Sequence, residues 1–284
     1  MTFRIHPAAA IGEVHLKVTN LARSTAFYRD VVGLKPLAEE GRTATLTADG
    51  VRPLVYLHEL PDGAVTPRRS AAGLYHFAIL VPDRAALGRS LRNLIASGIH
   101  IGQADHLVSE ALYISDPDHN GIEIYADRPR SEWTRDANGD YVMAVDPIDW
   151  DGLLSEAGDE PWTGLPEGTT IGHIHLHVSD LDRSGAFYCD VLGFDLEARM
   201  DRSALFVAAG GYHHHIGLNV WAGVGVPLAP ANATGLAYYT IVLPEDSALR
   251  EVVQRLQDAG IAVEHLGEQW ITHDPSGIEL RLHR

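Results

Sequence analysis

The sequence predicts an α+β fold assembled from four copies of a β-α-β-β-β module. Three observations predict it. First, IGEVHLKVTNLARSTAFYRDVVGL, starting at residue 11, returns as IGHIHLHVSDLDRSGAFYCDVLGF at residue 171, with fourteen of 24 positions identical. Second, GLYHFAILVPDRAALGRSLRNLIASGI from residue 73 and GLAYYTIVLPEDSALREVVQRLQDAGI from residue 235 form another pair, and both lead to a similar ending, YISDPDHNGIEIY and WITHDPSGIEL. Self-similarity on this scale marks repeated supersecondary units. Third, every copy shows a two-residue hydrophobic period followed by a helical one.

The elements follow in order. The first strand of module one places Val14, Leu16 and Val18 on one face and Glu13, His15 and Lys17 on the other. A polar turn leads into an amphipathic helix. In module two, Leu87, Leu91, Leu94 and Ile95 fall at i, i+4, i+7 and i+8, and Gly98 stops the helix. Shorter strands separated by Gly, Asp and Pro turns complete each module. Two modules fill residues 9–126 and two fill 169–284. Residues 127–168, rich in Asp, Glu, Gly, Pro and Trp, read as an ordered linker.

Composition narrows the function. A net charge of −16 argues against nucleic acid, whose binding needs clustered Lys and Arg. No run of about 18 apolar residues exists to span a membrane, and the N-terminus lacks the apolar core of a signal peptide. The lone Cys189 permits no disulfide framework, which suits a reducing cytoplasm. Histidine is abundant, at 16 residues, and several are spaced as on strands. Histidine serves as metal ligand and as acid–base group near neutral pH. Most conspicuous is GGYHHHIGLNVW at 210–221. On strand parity, His213 and His215 share a face and His214 takes the other.

The openings H-L-x-V-x-[DN]-L-x-R-S-x-x-F-Y-x-D-V-x-G resemble those of the vicinal oxygen chelate superfamily. That group includes glyoxalase I, antibiotic-resistance proteins and type I extradiol ring-cleaving dioxygenases. Four modules in one chain resemble the dioxygenases, in particular the Bacillus-type catechol 2,3-dioxygenases. The resemblance covers nearly the whole chain outside the first ten residues and the linker. It implies that modules pair into two half-barrels, with a metal ion inside one of them, held by first and last strands.

Five residues before Val18, Val81, Val178 and Leu243, at the first-strand slots, stand Glu13, His76, His173 and Tyr238. The last-strand slots of modules two and four hold Glu123 and Glu279. Two histidines and one carboxylate bind Fe(II) on one face and leave positions open for substrate and O₂. Only the pairing of modules two and three offers such a set: His76, Glu123 and His173. The middle modules are therefore expected to share the metal-bearing half-barrel, with one and four forming the other. This departs from the usual dioxygenase order, in which modules three and four carry the iron. His175 and His177 share the face of His173 and could substitute for it; His15 matches His175 in the repeat.

The resemblance also implies an acid–base histidine on the last strand of module three. His215 is the first choice, because parity sets it with Gly217 and Asn219 against Ile216 and Leu218. His214 is the second member of the run considered, on the opposite face unless the strand is bulged. Tyr113, ten residues before Glu123, and His106 match positions that contact the bound diol. The implied reaction is Fe(II)-dependent insertion of O₂ into a catechol to give a ring-opened semialdehyde. Mn(II) would accept the same ligands. The expected partners are a small aromatic diol and O₂, and the expected assembly is a homo-oligomer. The competing readings are a glyoxalase-like isomerase, which would want a second carboxylate at the metal, and a non-redox binding or resistance protein.

Overall fold

A computed structural model describes residues 3–65 and 67–284. Module one comprises β1 (Ala10–Val18), α1 (Leu21–Phe27), β2 (Lys35–Glu40), β3 (Thr43–Thr47) and β4 (Pro53–Glu59). Module two comprises β5 (Gly73–Leu80), α2 (Arg84–Ser97), β6 (Gly102–Asp105), β7 (Ser109–Ser115) and β8 (Gly121–Asp127). The linker carries a short α-helix, α3 (Trp150–Glu156), and a single 3₁₀ turn at Arg130–Glu132. Module three has β9 (Thr170–His177), α4 (Leu181–Gly185), β10 (Asp195–Met200), β11 (Ala204–Ala208) and β12 (Ile216–Asn219). Module four has β13 (Gly235–Val242), α5 (Asp246–Asp258), β14 (Glu264–Leu266), β15 (Gln269–His273) and β16 (Glu279–His283).

The strands form two eight-stranded sheets, ordered β14-β15-β16-β13-β1-β4-β3-β2 and β10-β11-β12-β9-β5-β8-β7-β6. Modules one and four share the first sheet, and modules two and three the second. Each sheet is thus drawn from both halves of the chain. Neither is confined to residues 9–126 or 169–284, and β8 runs one residue past the first of those ranges. In both sheets the two first strands meet antiparallel at the centre, β1 with β13 and β5 with β9. Each last strand runs parallel to the first strand of its own module.

Alternation decides which face is dry. Val14, Leu16 and Val18 of β1 are wholly buried in one continuous core, together with Phe77 and Ile79 of β5, Ile174 and Leu176 of β9 and the apolar sides of the helices. The helix cap signals behave as their chemistry requires. Asp83 accepts from the Ala86 N–H at 2.7 Å, and Gly98 closes α2 at φ 69°, a conformation that costs glycine little. Leu87, Leu91 and Leu94 are buried, whereas Ile95 is 48% exposed. One residue past Leu94, it sits about 100° around the helix, off the packed stripe.

The F-Y and D-P motifs of the repeat meet inside each half of the chain. Buried Tyr28 donates to Asp116 at 3.1 Å, and Tyr188 to Asp274 at 3.3 Å. These bonds join module one to two and three to four. The sheets join one to four and two to three, so every module is tied to two others.

Candidate metal and acid–base site

The site forms on the concave face of the sheet made by modules two and three. Ala78 of β5 is opposite Glu123 of β8 on one side and His173 of β9 on the other. Its methyl group is too short to separate them. His76 lies two residues back along β5, on the same face. Three strands therefore deliver the three side chains to one point. His76 Nε2 is 2.9 Å from Glu123 Oε2, and His173 Nε2 is 3.1 Å from the same oxygen. All three residues are buried. They are the one such cluster among the described residues whose ligand atoms converge within 4.8 Å.

These separations fit an ion. Ligands at about 2.1 Å from a metal and at right angles to each other stand about 3 Å apart. His76 Nε2 is buried without a hydrogen-bond partner despite its closeness to Glu123. An orphaned buried nitrogen costs free energy, and a metal would take up its lone pair. Burial pulls His173 down to about 4, which leaves its ring neutral at pH 7. Burial pushes the Glu123 carboxyl up, but the His173 and His76 rings outweigh it and hold the group well below the usual range. Neutral imidazoles and an ionised carboxylate are the forms that bind metal.

Tyr113 is paired with Glu123 across β7 and β8, so its ring reaches the same cavity. Its hydroxyl donates to His106 Nε2 at 2.6 Å, and His106 Nδ1–H donates to the Ala144 carbonyl of the linker at 2.6 Å. The linker thereby fixes the His106 tautomer. Burial first, and Glu123 second, push the Tyr113 hydroxyl well above its ordinary pKa, so it stays a proton donor. A cavity of about 640 Å³ opens beside His76 and Tyr113 and is also lined by Tyr75, His177 and Lys17.

The histidine run departs from the expected parity. Strand β11 ends at Ala208 and β12 begins only at Ile216, so His213 and His214 lie in the connecting hairpin. His214 turns its ring onto His173, with centroids 4.0 Å apart. His215, expected to face the cavity, points away from it. Its Nδ1 accepts from the Ala209 N–H at 3.1 Å, and its ring packs near Tyr212 and Phe194. The reason is local. The His215 N–H bonds to the Val207 carbonyl while Ile216 is the register partner of Val207, so two residues oppose one. Such a bulge breaks the alternation.

Two partners of the run went unread in the sequence. His213 is fully buried; its Nε2 lies 2.8 Å from Asp127 Oδ1 and its Nδ1 2.8 Å from His214 Nδ1. Asp127 ends β8 on the parity of Glu123 and Tyr125, and that i, i+2, i+4 spacing was the available signal. Tyr125 sets its ring edge-on to His213 at 6.1 Å and packs 4.8 Å from His173. Of the other β9 histidines, His175 packs between His76 and Trp221 and His177 Nδ1 bonds to Asn219 Oδ1 at 2.6 Å, so neither meets Glu123.

The sister sheet holds Glu13, Tyr238 and Glu279 at the equivalent positions, but its centre is filled. His15 is stacked between Tyr56 and Tyr238 at 4.1 and 3.9 Å. The Arg281 guanidinium lies 3.4 Å over Tyr238 and pairs with Glu279 at 2.7 Å.

The chain is similar to several known proteins. It is 56% identical over 272 residues to the catechol-2,3-dioxygenase of Bacillus subtilis (strain 168), covering 95% of both chains. In fold it is similar to a solved structure from Bacillus subtilis subsp. subtilis str. 168, with a TM-score of 0.66 at 11% identity over 99% of this chain and 86% of that one. It is similar also to a glyoxalase I mutant of Zea mays, with a TM-score of 0.56 at 17% identity over 97% and 92% of the chains. The family model for the Glyoxalase/Bleomycin resistance protein/Dioxygenase superfamily matches residues 10–124 and 170–280, and with the paired βαβββ modules this places the chain in that superfamily.

Proposed function

We propose that the chain is an extradiol dioxygenase that cleaves a catechol with O₂, using Fe(II) held by His76, Glu123 and His173. The observation that carries this is the convergence of His76 Nε2, Glu123 Oε2 and His173 Nε2, two imidazoles and one carboxylate. The relative named a catechol-2,3-dioxygenase, at 56% identity, supports the choice of substrate class. When bound, Fe(II) would bring the diol and O₂ to one centre and pass electron density between them. Mn(II) suits the same ligands.

The remaining chemistry is the work of this chain's side chains. Ring opening needs a catechol hydroxyl deprotonated and a proton returned as the O–O bond breaks. His214, packed against His173 with its ring tilted by 45° and held neutral by burial, is the base and then the acid, through Nε2. Tyr113 keeps its proton and orients the substrate through its hydroxyl, with His106 as its acceptor. The partners are then an aromatic diol and O₂, and the expected assembly is a homo-oligomer. The lone thiol of Cys189 and an oxidisable ion suit a reducing compartment such as the cytoplasm. No helix among the described residues is long and apolar enough to cross a membrane.

The test is anaerobic loading with Fe(II), followed by catechol and air. Oxygen uptake matched by a yellow ring-opened semialdehyde is the expected result. A protein that takes up no oxygen, yet isomerises a glutathione hemithioacetal with another divalent ion, is a glyoxalase-like enzyme instead.

A further inference from the structure

The geometry points to Asp127 and His213 as positioning residues that hold His214 in a single tautomer, with the proton on Nδ1 and the Nε2 lone pair turned to the reaction. The inference rests on the proposed role of His214. It goes beyond that role by assigning the groups that make it competent.

The order of atoms fixes the protons. Asp127 Oδ1 lies 2.8 Å from His213 Nε2, and a carboxylate oxygen can only accept, so His213 carries its proton on Nε2. In the single-proton form of its ring, His213 then has a bare Nδ1. That nitrogen lies 2.8 Å from His214 Nδ1 and must accept from it. His214 therefore carries its proton on Nδ1, which leaves Nε2 as the basic atom. His213 is fully buried, so no water competes at either of its nitrogens. The Tyr212 hydroxyl donates to the same Asp127 oxygen at 3.2 Å and to no ring, which anchors the carboxylate without altering the chain of protons. The arrangement joins three places far apart in sequence: the end of β8, the hairpin before β12 and, through the His214 ring contact, His173 on β9. The logic is that of any acid–base histidine oriented by a carboxylate, here with a second imidazole in between.

Nitrogen-15 spectra of the histidine rings in the full-length chain, with and without Zn(II), read the tautomer directly; a His214→Asn sample identifies the His214 signals. The wild-type chain should show His214 as the Nδ1–H form alone. His213→Leu removes the acceptor, and Asp127→Ala frees the His213 tautomer, so both should give mixed His214 tautomers. His213→Asn places an amide oxygen where Nδ1 stood and should restore the single form. With Fe(II) bound, His213→Leu and Asp127→Ala should lower kcat about 10–100-fold, the usual scale for an outer orienting partner, with KM little changed. His213→Asn should stay within about threefold of wild type. Because Asp127 is partly exposed at a strand end, Asp127→Ala remains informative if His213→Leu does not fold. A pure Nδ1–H His214 in Asp127→Ala would overturn the inference. A chain inert to catechol whose tautomers behave as stated would sink the ring-cleavage reading alone and leave this one intact.

Discussion

The two sheets descend from one module and have opposite interiors. At matching positions one holds His173, His76 and Glu123, and the other Glu13, Tyr238 and Glu279. The first brings two imidazole nitrogens to within 2.9 and 3.1 Å of one Glu123 oxygen, with no cationic side chain of Arg or Lys among the described residues paired to that carboxylate. The second answers its carboxylate with a built-in cation: Arg281, two residues beyond Glu279, pairs with it and covers Tyr238. In the first sheet the residue two beyond Glu123 is Tyr125, which carries no charge to give. A fixed guanidinium in one sheet and, under the proposed function, an exchangeable metal ion in the other would answer the same electrostatic problem, a carboxylate turned into a half-barrel. Only the ion offers open coordination positions. The repeat keeps the frame, and the side chains carried on it differ: His15, Tyr56, Tyr238 and Arg281 fill one centre, and the other gathers His76, Glu123 and His173.

Four experiments test that contrast, in order of expected effect. Glu123→Ala should abolish iron retention after reconstitution and with it ring cleavage, whereas Glu279→Ala should keep both within about twofold; the readout is metal content per chain. If Glu279→Ala also empties the protein of iron, the division of labour between the sheets is wrong.

His214→Phe should retain iron and still bind catechol without air, but slow turnover about 10²–10⁴-fold, the scale of a lost acid–base group. His215→Phe lies on the other side of the bulge and should leave kcat within a few-fold, lowering stability instead. Single-turnover rates on iron-loaded protein separate the two.

Arg281→Met should lower stability by about 1–3 kcal/mol, because Glu279 loses its partner in a partly buried setting. Thermal melts should move by a few degrees with iron content unchanged. A variant as stable as wild type would show that the guanidinium does not answer Glu279.

The smallest effect concerns the Tyr–Asp ties between modules. Burial raises Asp274 to about 6, above its unfolded value. A raised carboxyl pKa contributes stability that is complete below the unfolded pKa and is lost as pH climbs through about 6. Asp274→Asn does not titrate, so its destabilisation relative to wild type should be greatest near pH 4 and shrink above pH 6. Melts at several pH values check the slope, and a destabilisation that grows with pH would contradict it.

Much of this was legible in the chain. The repeat gave four modules, and parity within β5, β8 and β9 put His76, Glu123 and His173 on usable faces, because strand alternation is a local property of the backbone. Tyr113, ten residues before Glu123, and His106 were expected from the family resemblance, whereas their mutual hydrogen bond was not. Even the pairing of modules two and three was reachable, since no other pairing supplies two histidines and a carboxylate.

What the sequence by itself determined is therefore the module, its count and the donor set of a candidate metal site. What only the tertiary structure decided is how side chains turn where the pattern stops being regular. His214 rather than His215 meets His173 because the hairpin and bulge before β12 suspend alternation, and a bulge depends on the strand alongside it. Asp127 reaches His213 only because β8 and β12, 86 residues apart at these side chains, lie in one sheet on either side of β5 and β9. Periodicity records what one stretch of backbone does; contacts between distant stretches depend on how the sheets are assembled.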